Sequence, residues 1–271
     1  MKTLFSLSIG LCAVLCNGGA FAQAVDMSPV PDTTSILGLK YSRASYKTTW
    51  FGEGPSGASG VYHLYGRFPM KNDWHFNADL PFIVATQASA SENGLGNIYI
   101  GFQKVMTANR NSNMELGLYL PTIGSNNFLR QEVGVASDPY GVFQYAEGIT
   151  ASFNIAYENA RKKGFLSGVE AGPDIFIPTY EGGSVNLFVH GAAKGGYNFS
   201  GFALWTELSG ILPVNLDGGF TEEVISKVVV GGQLTRPKFR IGAFYGIPLG
   251  SSQREFIGDI FDITLEFEIG D

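Results

Sequence analysis

The sequence predicts an all-β fold: a transmembrane, antiparallel, up-and-down β-barrel of about 12 strands. Three observations lead there. Apolar and polar residues alternate with a period of two in window after window. Short polar turns and long connections alternate between those windows. Charged residues are only 15% of the chain, which holds 36 glycines. An ordinary soluble protein carries about 25% charge, so much of this surface is expected to face something other than water.

The first residues set the compartment. Met1-Lys2 opens a short basic region, "LFSLSIGLCAVLC" follows as an apolar stretch, and "AFA" ends at Ala22. This is the layout of a secretory signal peptide over residues 1–22, cleaved after Ala22. A lipoprotein signal competes because Cys16 follows an apolar run, but Leu15 stands where such signals have a small residue. Both cysteines, Cys12 and Cys16, lie in the leader, so the mature chain is expected to have no disulfide and no thiolate chemistry. Residues 23–35 contain Pro29 and Pro31 without periodicity and read as a periplasmic or lumen-inserted segment. The barrel itself is expected over 36–271.

The strands follow in order. "WHFNADLPFIV" (74–84) sets Trp74, Phe76, Ala78, Leu80, Phe82 and Val84 on one face, because successive side chains of a strand point to opposite sides. A weaker set is Ile98, Ile100 and Phe102. Met114, Leu116, Leu118 and Leu120 come next, then Ile149, Ala151, Phe153, Ile155 and Tyr157. Val224, Val228 and Val230 form another weak set. Phe239 to Ile247 and Phe261 to Ile269 close the series with unbroken alternation.

Short turns are expected at 70–73, 108–112, 159–163, 198–201 and 235–238, and longer connections at 49–58, 86–94, 122–146, 178–183, 214–221 and 249–258. Aromatics recur beside the short turns: Phe68 and Trp74, Tyr157 and Phe165, Phe199, and Phe239. One interfacial girdle of a membrane barrel has this pattern. A soluble β-sandwich would show similar alternation, but with more charge and with short loops at both ends.

Losing the leader removes Lys2, one of 18 basic residues, and none of the 24 acidic ones, so the net charge moves from −6 to −7. That balance excludes nucleic acid as a natural partner. The expected partners are outer-membrane lipid, a small-molecule solute and the barrel-assembly machinery.

The faces opposite the apolar sets carry His63, Arg67, His75, Asp79, Lys104, Glu115, Glu170, Asp174 and Arg240. These are the candidates for lining a wet lumen and setting selectivity. Across the 70–73 turn, Phe68 opposite Trp74 would bring Arg67 to His75 and His63 to Asp79, all pointing inward. A His beside an Asp can orient a catalytic dyad. No serine stands near either histidine in a recognisable motif, so a lumen hydrogen-bond network is the expectation, with no catalytic residue. No cofactor or metal is expected: three histidines without cysteine form no zinc cluster, "GLGNIYIG" lacks dinucleotide spacing, and "GSNN" and "NLDGG" read as ordinary turn formers.

Leu80-Pro81, Gly94-Leu95-Gly96, Gly101-Phe102 and Leu120-Pro121-Thr122 together carry a resemblance. In this middle third the chain resembles the proteobacterial outer-membrane proteins grouped under the MetA pathway of phenol degradation. That family continues Gly-Leu-Gly with Asp, whereas this chain has Asn97. The resemblance implies an outer-membrane barrel that passes small, often aromatic compounds. The function expected is therefore a passive channel. The alternatives are an outer-membrane barrel enzyme, lipase- or protease-like, and a barrel with a structural or surface-binding role.

Overall fold

The structure, a computed structural model, describes residues 34–47, 59–87, 90–106, 111–124, 127–160, 163–215 and 224–270. The leader, residues 23–33, the connection at 49–58 and most of that at 214–221 lie outside the described residues.

Among the described residues thirteen strands form one sheet: β1 (Ser35–Tyr46), β2 (Gly60–Pro69), β3 (Trp74–Gln87), β4 (Ala90–Leu95), β5 (Ile98–Val105), β6 (Ser112–Leu120), β7 (Gly148–Ala160), β8 (Lys163–Pro178), β9 (Asn186–Phe199), β10 (Phe202–Asn215), β11 (Ile225–Thr235), β12 (Phe239–Pro248) and β13 (Ile257–Ile269). With β4 set aside, the other 12 close into an up-and-down antiparallel barrel. β1 completes the ring by pairing with β2 on one side and β13 on the other, from Ser35 opposite Ile269 to Tyr46 opposite Ile257. Closure matters physically, because an open sheet edge in hydrocarbon would leave backbone N–H and C=O groups without partners.

The barrel is polar inside and apolar outside. β12 alternates without a break, with Phe239, Ile241, Tyr245 and Ile247 exposed and Arg240 and Phe244 turned inward. Lys40, Glu207 and Arg240 are buried, while Leu39, Leu116 and Val230 are more than half exposed. In water such an outer surface would forgo about 25 cal/mol for each Å² of apolar area left uncovered, so lipid is the solvent it fits. Phe68, Trp74, Phe165, Phe199, Phe202 and Phe239 are all exposed near the short-turn end, where the girdle was expected.

Two details differ from the sequence expectations. In the hairpin at 70–73, Phe68 faces Phe76, not Trp74; Arg67 faces Asn77, and His63 faces Pro81. The cause is the turn. Met70 and Trp74 flank three residues, of which Asn72 and Asp73 take positive φ, and Met70 N–H donates to the Trp74 carbonyl at 2.7 Å. The register moves by two residues, which leaves every side chain on its expected face.

The second difference concerns 86–94, expected to be a loop. β3 continues to Gln87, and β4 pairs back onto it, from Phe82 opposite Leu95 to Gln87 opposite Ala90. β5 continues along the lower half of β3, from Asp79 opposite Tyr99 to Trp74 opposite Lys104. Across Gly96-Asn97 the register slips by one residue, as in a β-bulge. The outward set therefore changes from even numbers (Phe102) to odd (Leu95), both of which are exposed. The sequence shows this only as a weak periodicity.

Candidate functional site

The long connection after β6 does not stay outside. It forms α1 (Phe128–Ser137) and a 3₁₀ turn (Pro139–Gln144) and folds into the barrel. Leu129 and Val133 pack with Val61, Ile83, Ala85, Ile123 and Tyr145 on one patch of the inner wall. Val142 and Phe143 pack with Phe176, Phe188 and Ile211 on another. Gly134 permits the close approach: a Cβ there would stand 2.4 Å from the Tyr145 ring.

Asn97, at the register slip, ties this loop to the wall and is fully buried. Its Nδ2 donates to the carbonyls of Phe143 (2.9 Å) and Ala146 (2.6 Å), and its Oδ1 accepts from the N–H groups of Thr122 (3.0 Å) and Ile123 (3.2 Å). Its own N–H donates to the Gln144 carbonyl at 2.6 Å. An amide is what such a place requires, because a carboxylate cannot donate the first two bonds.

A buried ion cluster holds the loop's turn. Asp138 lies between Lys40 of β1 and Lys227 of β11, at 3.3 and 3.1 Å. Burial alone would raise the Asp138 carboxyl, but the Lys227 and Lys40 ammonium groups outweigh it and hold it well below the usual carboxylate range. Gln144 Nε2 donates to Asp79 Oδ2 at 2.6 Å, and the Tyr145 hydroxyl meets His63 Nε2 at 3.3 Å.

Between the docked loop and the short-turn end the lumen keeps a cavity of about 220 Å³. His63, Arg67, Asp79, Glu115, Glu170 and Asp174, from four different strands, all line it. His63 Nδ1 lies 2.9 Å from Asp79 Oδ2, because diagonal neighbours are within reach even though the two residues are not directly opposite. Arg67 Nε donates to Asn77 (3.2 Å), not to His75, and Asn77 donates on to Glu115 (3.0 Å), which also accepts from the Tyr99 hydroxyl. Asp174 is paired with His190 at 2.6 Å, and Asn154 donates to Glu170 at 3.1 Å.

His75 and Arg240 are buried on the lumen face, outside the cavity lining. Arg240 bridges Glu266 (3.2 Å) and Glu268 (2.6 Å).

Lys104 is a correction. It shares the parity of the exposed Phe102, and its Nζ lies 5.8 Å from the Trp74 ring centre on the outer face. The inward neighbour there is Gln103, buried at 2%.

Sequence reasoning missed Lys40, Asn97, Asp138 and Gln144, and gave His190 no partner. Lys40 was legible, since it sits between Leu39 and Tyr41 on the inner face of β1. Asp138 and Gln144 lie in a loop with no period to read.

These features define a class: a membrane-spanning β-barrel with a lipid-facing outer belt and a lumen narrowed by an inward loop. No family model matches the chain, and no curated protein matches it. Solved structures do match in fold. The chain is similar to the COG4313 outer membrane channel from Pseudomonas putida F1, with a TM-score of 0.66 at 12% identity, covering 92% of this chain and 100% of that one. It is also similar to the NanC porin, with a TM-score of 0.56 at 9% identity, covering 86% of this chain and 100% of that one. A likeness at these identities is one of fold. Together with the apolar belt and the aromatic girdle, that fold belongs in the cell outer membrane.

Proposed function

We propose that the chain is a passive outer-membrane channel for small molecules, apolar or aromatic ones among them, and that its own inward loop narrows the passage. The observation that carries this reading is the lumen cavity beside the docked loop, since a barrel filled by side chains alone would leave no such space. The short motifs shared with the phenol-degradation group support aromatic compounds as cargo. Selectivity falls to the lining residues His63, Arg67, Asp79, Glu115, Glu170 and Asp174, with His75 and Arg240 further along the lumen. Outer-membrane lipid and the barrel-assembly machinery are the partners this reading requires.

Proteoliposome swelling in isosmotic small solutes tests it. Solute entry that depends on the protein is the expected result, and vesicles that remain as tight as protein-free ones would overturn the reading.

The rival reading is a barrel enzyme, suggested by the His63–Asp79 and His190–Asp174 pairs. The first pair is tied to Gln144 and Tyr145 of the loop and the second to Asn154, which suits a structural network better than a base awaiting a nucleophile. Lipase and protease activity that is present in the wild type and lost in His63→Ala or His190→Ala would favour the enzyme.

A further inference from the structure

We propose that the short-turn rim of the barrel is a docking surface for anionic glycerophospholipid. Exposed lysines would hold the head-group phosphate, and the aromatic belt beside them the acyl chains. The inference needs the barrel and its membrane but not the channel reading, so a chain that passes no solute would leave it standing.

The first observation is charge. Lys71 in the 70–73 turn, Lys163 at the start of β8, and Arg236 and Lys238 in the turn before β12 are all exposed, and Lys104 near the end of β5 is half-buried. Among the described residues of this rim the carboxylates are fewer and mostly turned away. Glu158 bridges the buried Lys194 and Glu268 the buried Arg240, which leaves Asp73, half-buried in its turn. The opposite end of the barrel mixes the two signs, with Arg43, Lys47 and Arg254 beside Glu181, Glu255 and Asp259. The excess of positive charge is confined to one rim.

The second observation is what lies beside the cations. Lys104 Nζ stands 5.8 Å from the Trp74 ring centre and donates to the Asn72 carbonyl. An ammonium group has three donors, and that bond uses one. From Trp74 the outer wall continues as a ladder of rings: Phe68, Phe76 and Phe102 cross β2, β3 and β5 with ring centres 6.4 and 5.5 Å apart. The arrangement repeats on β8, β9 and β10. Lys163 is opposite Phe199, Phe199 stacks on Phe202 at 6.4 Å, and Phe165 is 61% exposed two residues on.

Aromatic belts lie at head-group level, and lysines on such a belt keep their stems on apolar surface and their charge in the polar layer. An acyl chain lying along either ladder therefore brings its own phosphate to the lysine at the ladder's end. A soluble acidic partner would use the lysines but not the rings. A zwitterionic lipid would use the rings, but its own cation competes with the lysines for the phosphate. An anionic lipid uses both. Short turns of outer-membrane barrels face the periplasm, so the lipid concerned is that of the periplasmic leaflet.

The test is tryptophan quenching of the full chain in phosphatidylcholine vesicles. A Trp50→Phe background leaves Trp74 on the rim and Trp205, which is buried on the lumen side, so brominated lipid reports on Trp74. Brominated phosphatidylglycerol should quench more than brominated phosphatidylcholine at equal mole fraction, equivalent to a preference of roughly threefold or more. The preference should fall as ionic strength is raised. Lys71→Gln with Lys104→Gln should bring the ratio close to one while quenching by brominated phosphatidylcholine persists. Arg43→Gln with Lys47→Gln, at the opposite end, should leave the ratio unchanged. A ratio of one in the Trp50→Phe background overturns the inference, and so does a ratio that survives loss of both lysines or follows Arg43 and Lys47 instead. Retention of polyglutamate without any lipid preference would assign the rim to an acidic protein and overturn it too. If the lysine variant does not fold, the ratio and its salt dependence in the background chain still decide.

Discussion

Asn97 Nδ2 donates to the Phe143 carbonyl at 2.9 Å, joining a register slip in the barrel wall to the loop that occupies the lumen. The same amide donates to Ala146 and accepts from Thr122 and Ile123. One side chain therefore anchors both ends of the inward loop.

Replacing it tests that anchor. Asn97→Asp keeps the size but turns a carboxylate toward two carbonyls, and Asn97→Ala takes the amide partner from the Phe143 carbonyl and the Ile123 N–H, while Thr122 N–H keeps the Leu120 carbonyl and the Ala146 carbonyl keeps Gly148 N–H. Each unsatisfied buried group costs about 1–3 kcal/mol. Both variants should keep the barrel, read as a heat-modifiable gel shift, while channel conductance rises and becomes noisy as the loop detaches. Unchanged conductance in both would remove Asn97 from this role.

Lys40 and Lys227 make the second attachment. Lys40→Met or Lys227→Met leaves Asp138 buried with one cation instead of two. Removing one partner of a buried pair costs on the order of 3–5 kcal/mol. The loop should become accessible to protease in detergent-solubilised protein, whereas the double variant Lys40→Met with Asp138→Asn should partly restore protection.

Acid should spare this attachment over a wide range. The Asp138 carboxyl is held below its unfolded value of about 3.9. Its contribution is therefore fully present above that pH and is lost only as pH falls through the lower folded value. The stability difference between wild type and Asp138→Asn should stay level from pH 7 to pH 5 and shrink below pH 4. Chemical denaturation at stepped pH checks this, and a difference that vanishes by pH 5.5 would contradict it.

The two faces of one hairpin give a matched pair. Glu115→Gln alters the cavity wall and should change single-channel conductance or ion preference by a measurable fraction. Lys104→Gln alters only the outer interface beside Trp74 and should leave both unchanged. Leu116→Arg, on the exposed outer face, should destabilise the barrel by about 2–4 kcal/mol if the residue sits near the bilayer midplane.

The barrel was legible because its signal is repeated. Alternation over Trp74–Val84 or Phe261–Ile269 assigns faces regardless of register, so Arg67 and Glu115 could be sent inward although the pairing at 70–73 was two residues off. Lys104 was placed inward despite sharing the parity of Phe102; the alternation in that window is weak, and the face changes at Gly96-Asn97. The loop was legible as the longest connection, holding Phe128, Tyr140, Phe143 and Tyr145 and long enough either to fold inward as a constriction or to shape an entry vestibule, but not in where it docks. Its docking depends on Asp138, Gln144 and Asn97 meeting groups distant in sequence. No local period encodes that, and the departure from Asp to Asn at position 97 gives no sign of the role until the loop is seen docked on it.

The most direct measurement is single-channel recording of the purified wild type beside a variant in which residues 128–144 are replaced by a short Gly/Ser linker. The expected result is small, discrete conductance steps for the wild type and markedly larger ones for the variant. A wild type that is silent, together with a correctly folded loop-replaced variant that is silent too, would contradict a lumen passage narrowed by its own loop.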